Sequence, residues 1–215
     1  STRRIAGLKN INTAKNQATL YSGTLLSEAG PLLAKNEQAL INMPDIDQQT
    51  LAGAISTATH GTGKSLGSLS SYVTEIELVT AQGDLEHCSH ERLPELFHAA
   101  QVGLGSLGVI TSITLQNQEP FKLKRTAQWM SFEEVREQAY TLANEHRNFE
   151  FFYFPFTGMA LVDILNPSLE AITHAEEIDG NSGVMDLKAA RDYLSWSSKL
   201  REMIVGSYMK TMEPH

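Results

Sequence analysis

A segment at 58–65 combines glycines, hydroxyl residues and a lysine in the order Ala-Thr-His-Gly-Thr-Gly-Lys-Ser. This order fits a permissive phosphate-binding loop, in which backbone amides surround the phosphates, the Lys reaches the terminal phosphate and the Ser binds magnesium. Such a loop needs a buried strand before it and a helix after it. The residues at 54–57 are weak for a buried strand, and those at 66–71 are poor helix formers. A nucleotide hydrolase is therefore the least favoured alternative.

Three glycines, Gly103, Gly105 and Gly108, form the pattern Gly-x-Gly-x-x-Gly that dinucleotide-binding loops share. That fingerprint requires a strand before the glycines and a helix after them. Here a predicted helix at 92–101 precedes the glycines and a predicted strand at 109–115 follows them, which is the reverse order. We therefore expect a tight helix-to-strand turn with positive φ angles rather than an NAD site.

The tetrapeptide His87-Cys88-Ser89-His90 holds three residues of types that bind metal ions. On a strand, however, alternate side chains point to opposite faces, so these three cannot readily converge on one ion. No metal site is therefore predicted. Cys88 is the only cysteine in the chain, which also excludes an intrachain disulfide framework.

The composition and charge are those of an ordinary globular protein. The chain has 215 residues, of which 41% are hydrophobic and 20% are charged, with a formal net charge of -8. An acidic protein repels a phosphate backbone, so no nucleic-acid partner is expected. No run of about 18 apolar residues is present, which predicts no membrane span. The lone cysteine and the lack of a signal peptide favour a cytoplasmic location.

The elements that would position these residues follow from the hydrophobic pattern. Strands are predicted at 17–21, 72–80, 85–88, 109–115, 122–130, 149–155 and 160–165, and helices at 23–34, 92–101, 131–146 and 186–212. The segment at 48–67 is crowded with small residues and is predicted as a loop whose backbone can approach a flat or charged group. The sequence changes character after Pro120, which places a domain boundary between residues 118 and 119.

Several segments, taken in order, carry a resemblance to a known family. They are the stretch at 42–63, the strand at 72–80, Glu95-Leu96-Phe97 and the stretch at 103–111. Together they resemble the second half of the FAD-binding domain in the vanillyl-alcohol-oxidase (PCMH-type) superfamily. The form Ala-Gly-Ala-Ile-Ser-Thr-Ala-Thr-His-Gly-Thr-Gly at 52–63 is most similar to the sugar-1,4-lactone oxidases, of gulonolactone and arabinonolactone type, and to the alditol oxidases.

This resemblance implies an α+β fold. Residues 1–118 would form the second subdomain of a PCMH-type FAD-binding domain, and residues 119–215 would form part of an α+β substrate or cap domain. The chain is expected to be an incomplete fragment that lacks the first subdomain, because Ser1 is not a Met and the family's Gly-rich loop is not found in it.

The resemblance also implies that FAD is the cofactor. The residues expected to line FAD are Asp45, Thr50, Gly53, Ala54, Ser56, Thr57, His60 and Gly61, with Val109 and Ile110 contacting its adenosine side through their backbone. Backbone amides in a small-residue loop can donate hydrogen bonds to a pyrophosphate without obstruction by side chains. The hydroxyls of Ser56, Thr57 and Thr59 would add further donors.

The resemblance further implies the family's activity. This is the oxidation of a hydroxyl-bearing carbon of a sugar lactone or polyol by hydride transfer to the flavin. Pro44 falls where a Gly or Pro accompanies oxidases and an Ala accompanies dehydrogenases, which implies oxygen as the acceptor. The aromatic strand at 149–156 either packs in a core or presents a face to substrate, with Glu150 as a polar candidate. No catalytic residue can be named, so an inactive FAD-binding or scaffold fragment stays open.

Overall fold

The computed structural model describes residues 2–155, 157–173 and 199, and it divides the chain into two compact units, Ser1–Phe121 and Lys122–His215. Apart from Lys199, which is helical, the helix predicted at 186–212 lies outside the described residues. None of the helices described in these ranges is long and apolar enough to cross a membrane. Mixed helices and antiparallel sheets make up both units, so the predicted α+β class is confirmed.

The first unit is built on a five-stranded antiparallel sheet. Its strands are β1 (Leu8–Asn12), β2 (Gln17–Tyr21), β3 (Val73–Val79), β4 (Leu85–Ser89) and β5 (Val109–Gln116), in the spatial order β1-β2-β5-β3-β4. β5 comes last in the sequence and lies at the centre, where Ile113 pairs with Leu20 on one side and with Ile76 on the other. Alternation along the strands puts these three apolar side chains on one face, where all are buried.

Three helices cover that apolar face. They are α1 (Leu26–Ala34), α2 (Leu51–Ser56) and α3 (Pro94–Gln101). Each contributes fully buried side chains to one core with the sheet, including Leu33 from α1, Ile55 from α2 and Phe97 from α3. This burial fixes the helices against the sheet by the hydrophobic effect.

Helix α2 corrects the sequence-based expectation of a continuous loop at 48–67. Thr50 caps the helix, because its Oγ1 accepts the N–H of Gly53 at 3.3 Å. Leu51, Ala54 and Ile55 lie on one helical face and are fully buried. The sequence-based prediction missed the helix because it is short and contains a glycine, which lowers helix propensity.

The opposite face of the sheet is polar and carries a network centred on Glu77. Its carboxylate accepts hydrogen bonds from Lys9 Nζ at 3.0 Å, from Thr111 Oγ1 at 2.6 Å and from Ser112 Oγ at 3.2 Å. His87 Nε2 lies 3.4 Å from the same carboxylate. Burial raises the pKa of Glu77, but the bonds from Thr111, Lys9 and Ser112 and the charge of Lys9 outweigh it, so the net pKa is lowered.

Replacing Glu77 with glutamine is expected to reduce the free energy of unfolding at pH 7 by about 1.5–3 kcal/mol, the size of a lost hydrogen bond to a charged group. Because the folded-state pKa lies below the ordinary value of 4.5, this contribution is fully present above pH 4.5 and disappears as the pH falls through the folded-state pKa. Urea unfolding from pH 7 to pH 3 measures the effect. The control is Glu75→Gln, an exposed carboxylate on the same strand. An equal, pH-independent loss in both variants would contradict the prediction.

The second unit contains a three-stranded antiparallel sheet and one helix. The elements are β6 (Leu123–Ser131), α4 (Phe132–Glu145), β7 (Asn148–Phe154) and β8 (Met159–Pro167), with the sheet order β6-β8-β7. Val135 of α4 packs into a small core with Val162 of β8. A capping box begins α4, since Ser131 Oγ accepts the Glu134 N–H while the Glu134 carboxylate accepts the Ser131 N–H. Hydrogen bonds from the hydroxyl and then the backbone of Ser131 lower the pKa of Glu134.

The aromatic strand β7 is divided between core and surface. Phe149 packs against the core of the second unit. Phe151, Phe152 and Tyr153 are instead 38%, 48% and 44% exposed. The interpretation of this strand as core is therefore correct for Phe149 and wrong for these three side chains.

Candidate cofactor-binding site

The N-terminal end of α2 is enclosed by residues from an earlier part of the chain. The N–H of Leu51 donates to the carbonyl of Thr24 at 2.7 Å, and the N–H of Ala52 donates to the carbonyl of Ser22 at 3.0 Å. The N–H of Ala54 donates to the Thr50 carbonyl at 2.9 Å. With the Gly53 N–H bound to the Thr50 side chain, the first four amides of the helix all have acceptors within the protein.

This arrangement changes how Gly53 and Ala54 could act at a cofactor. The sequence-based interpretation gave the backbone amides of this segment to a pyrophosphate, but those of Gly53 and Ala54 are already used. Gly53 is exposed, and a Cβ built on it meets only Thr50 Oγ1 within 4 Å, at 3.1 Å. It therefore offers a surface without a side chain rather than a hydrogen-bond donor.

Two of the three predicted hydroxyl donors are also engaged. Thr57 Oγ1 donates to the Gly53 carbonyl at 3.0 Å, and Thr59 Oγ1 donates to the side-chain oxygen of Gln49 at 3.0 Å. Each keeps lone pairs that can accept a hydrogen bond. The hydroxyl of Ser56 has no hydrogen bond to any described residue, so it is the one of the three free to donate.

The unused amides of this segment lie after the helix, at His60 and Gly61. Neither N–H donates to an acceptor in the described parts of the chain, whereas the N–H groups of Ala58 and Thr59 bond back to α2. The His60 ring is exposed, and its Nδ1 lies 2.8 Å from the carbonyl of Gly61. Two adjacent free amides are suited to an anionic or carbonyl oxygen of a ligand.

Two amide side chains hold this segment, and the sequence-based prediction gave neither a role. Asn42 is 8% exposed and bridges Met43 to Thr62. The side-chain oxygen of Gln49 accepts a hydrogen bond from Thr59 Oγ1. This bond links the residue before the helix cap Thr50 to the segment that follows α2. The sequence signal was available, because both are side chains that can donate and accept and they flank the turn of Pro44 and Asp45.

The segment at 43–48, between the side chains of Asn42 and Gln49, contains Pro44 and bends at Asp45; it is called the Pro44 turn below. Pro44 is half-buried, and Asp45 is exposed. Asp45 makes no hydrogen bond or ion pair within the described ranges. Its carboxylate is therefore available to a ligand's hydroxyl groups, and its role stays a prediction.

The glycine turn meets α2 and brings the second predicted segment to the first. The N–H of Leu104 donates to the carbonyl of Ser56 at 3.3 Å. Ser56 and Ile110 both line a small hollow together with Gly103 and Gly108. The helix-to-strand turn predicted for the glycines is present, with φ of 73° at Gly105 and 140° at Gly108.

Exposed apolar side chains lie on the glycine turn, at the start of β5 and close to Pro44 in the sequence. Leu104 is 75% exposed, Val109 is 55% exposed, and Ile46 on the Pro44 turn is 67% exposed. The neighbouring glycines and small residues leave backbone accessible between them. Free amides and exposed apolar groups in these segments are the features that a large cofactor with an anionic part and a flat apolar part would use.

The surroundings of the segment at 58–65 exclude a phosphate-binding loop of the nucleotide hydrolase type. The segment follows helix α2 rather than a strand, and the next element is the 3-10 turn Leu69–Tyr72. Lys64 and Ser65 are both exposed on the connection between them. The strand and helix that such a loop needs on its two sides are therefore replaced by other elements.

A sequence profile described as FAD binding domain matches residues 1–89. Residues 1–89 belong to the FAD binding domain family. This match includes α2 and the segment with the free amides, and the prediction that FAD is the cofactor is thereby confirmed. Val109 and Ile110 lie outside the matched residues.

Relatives with assigned activities are similar over most of the chain. L-gulono-1,4-lactone dehydrogenase of Mycobacterium tuberculosis is 38% identical over 152 residues, which cover 71% of this chain and 35% of the relative. L-gulonolactone oxidase of Bos taurus is 36% identical over 145 residues, which cover 67% and 33%. D-arabinono-1,4-lactone oxidase of Candida albicans is 30% identical over 155 residues, covering 72% and 28%. The chain thus spans at most 35% of the length of these relatives.

Solved structures share the fold of the FAD binding domain and the following unit. A cholesterol oxidase from Brevibacterium sterolicum has a TM-score of 0.71 and 20% identity, covering 90% of this chain and 42% of that one. A solvent-stable cholesterol oxidase has a TM-score of 0.77 and 18% identity, covering 98% and 44%. At these identities the likeness concerns the fold alone.

Proposed function

We propose that the protein carrying this chain is an FAD-dependent oxidoreductase that oxidises a hydroxyl-bearing carbon of a sugar lactone. The observation that carries the proposal is the 38% identity with a lactone dehydrogenase over 152 residues. The other two relatives compared are lactone oxidases. An alditol or other polyol is the next substrate class to test.

The residues of the first unit would hold the cofactor in distinct ways. The free N–H groups of His60 and Gly61 and the hydroxyl of Ser56 would donate to its oxygens. Val109 would contribute apolar contact, and Asp45 would accept hydrogen bonds from its hydroxyls. When bound, FAD supplies the group that accepts a hydride from the substrate carbon.

The proposed electron acceptor is molecular oxygen, and Pro44 supports it. The curated relatives include both oxidases and dehydrogenases by name. Pro44 lies half-buried on the turn held by Asn42, next to the free amides. In the family that the sequence resembles, a Gly or Pro at this position accompanies oxidases.

The first test is FAD retention by the purified chain. We expect the visible absorption bands of oxidised flavin to remain after incubation with FAD and desalting, because the first unit contains the residues proposed to hold the cofactor. A folded chain, judged by far-ultraviolet circular dichroism, that stays colourless in both this form and the full-length protein would refute the proposal.

The second measurement separates an enzyme from an inactive FAD-binding protein. The full-length protein is incubated with L-gulono-1,4-lactone, and bleaching of the flavin absorption is followed without oxygen. Bleaching that reverses on admission of oxygen, with release of hydrogen peroxide, is the expected result. Retained flavin that no lactone or polyol bleaches would favour the inactive scaffold instead.

A further inference from the structure

We propose that Asn42 is a positioning residue, which holds the Pro44 turn against the free amides of His60 and Gly61 and so sets the geometry of the cofactor site. The proposal rests on the FAD-dependent function above. It assigns to Asn42 no contact with the cofactor or the substrate.

The contacts of Asn42 join two segments that the sequence separates. Its Nδ2 donates to the carbonyl of Thr62 at 3.1 Å, and its Oδ1 accepts the N–H of Met43 at 3.1 Å. The side chain is thus bonded on one side to the residue before Pro44 and on the other to the residue after Gly61. Only 8% of Asn42 is exposed, so water competes little for these bonds.

The close packing of Gly61 against Met43 and Asn42 also fixes the distance between these two segments. A Cβ built on Gly61 would lie 2.2 Å from the carbonyl oxygen of Met43 and 2.8 Å from Oδ1 of Asn42. The two backbone segments therefore approach as closely as a glycine allows. The hydrogen bonds prevent the segments from separating, and the steric contact prevents them from approaching further.

Only a side-chain amide at position 42 can both donate to the Thr62 carbonyl and accept the Met43 N–H. Alanine would remove both the hydrogen bond to the Thr62 carbonyl and the one from the Met43 N–H, and each lost bond is unfavourable. Aspartate keeps an acceptor for the Met43 N–H but loses the donor to Thr62. We therefore expect FAD binding to weaken about tenfold in Asn42→Ala, corresponding to about 1.4 kcal/mol, and by a smaller factor in Asn42→Asp.

The matched control is another buried asparagine of the same unit. Asn117 is 3% exposed, and its Nδ2 donates to the Gln38 side chain at 2.8 Å. It follows directly after β5, so the length of that strand, roughly 25 Å, separates it from Val109. Asn117→Ala therefore removes an equivalent buried hydrogen bond, one made to neither Gly61 nor the segment that holds Pro44.

The experiment compares the chain with Asn42→Ala, Asn42→Asp and Asn117→Ala. FAD affinity is measured by quenching of flavin fluorescence, the environment of the ring by the visible spectrum, and stability by urea unfolding. We expect all three variants to lose stability, but only the Asn42 variants to lose affinity and to shift the flavin bands. Asn42→Asp provides the measurement if Asn42→Ala does not fold.

Two results would overturn the proposal. One is wild-type affinity and an unchanged spectrum in Asn42→Asp. The other is an equal loss of affinity in Asn117→Ala, which would show a general effect of stability. Failure of the underlying function looks different, because the unmodified chain and the full-length protein would then both fail to bind FAD.

Discussion

Replacing Gly61 with alanine is expected to weaken FAD binding about 100-fold, because an overpacked site of this kind is strained by up to about 3 kcal/mol. The added Cβ would lie 2.2 Å from the Met43 carbonyl oxygen and 3.0 Å from its carbonyl carbon. Both are backbone atoms of the Pro44 turn, which cannot rotate away as a flexible side chain can. The turn must move, and it takes Pro44 and the free Gly61 amide out of their present geometry. Flavin fluorescence titration of the folded variant measures the loss.

The control for this substitution is Gly30→Ala. Gly30 lies within helix α1, and a Cβ built on it meets nothing within 4 Å. Alanine should leave FAD affinity unchanged and change the free energy of unfolding little, because the clash of its Cβ with the ring of Pro31 opposes the gain in helix propensity. If Gly61→Ala bound FAD as tightly as Gly30→Ala does, the predicted contact between Gly61 and the Pro44 turn would be irrelevant to the cofactor.

Gly108→Ala is expected to lower the free energy of unfolding of the first unit by about 3–4 kcal/mol. Gly108 has a φ of 140°, a conformation that costs other residues about 1–3 kcal/mol. Its Cβ would also lie 2.3 Å from the carbonyl oxygen of Val79, on the neighbouring strand β3, and overpacking adds about 1–3 kcal/mol. The start of β5 would be forced away from β3. Urea unfolding followed by circular dichroism measures the change.

Gly83→Ala separates the two contributions. Gly83 has a φ of 92°, but a Cβ built on it meets nothing within 4 Å. Backbone strain alone is then expected to lower the free energy of unfolding, by about 1 kcal/mol. Equal losses in Gly83→Ala and Gly108→Ala would mean that the contact with Val79 contributes nothing.

The parts of the fold that the sequence predicted are those with strong local signals. Strand β5 follows from alternating apolar residues, and α4 follows from the capping box at Ser131. Helix α2 has only six residues and one of them is Gly53, so its signal is weak. What stabilises it is burial of Leu51 and Ile55 against the sheet, which a local pattern does not reveal.

The sequence predicted which residues belong to the candidate site, but not which of their hydrogen-bonding atoms are free to bind a ligand. The acceptors that use the α2 amides are the carbonyls of Ser22 and Thr24, which come from a distant part of the sequence. Only the three-dimensional structure shows that the free amides begin at His60. The role of Asn42 likewise depends on the distance between two segments, which no spacing in the sequence encodes.

The central place of β5 has a consequence for synthesis on the ribosome. The pairs β1-β2 and β3-β4 join strands that follow each other in the chain, so each hairpin can form soon after it is made. Neither can join the other until β5, at Val109–Gln116, has emerged and paired with both β2 and β3. Until then the nascent chain exposes two unpaired strand edges, which are sites for association with other chains. A chaperone that shields nascent chains should therefore be most needed just before Gln116 emerges from the ribosome.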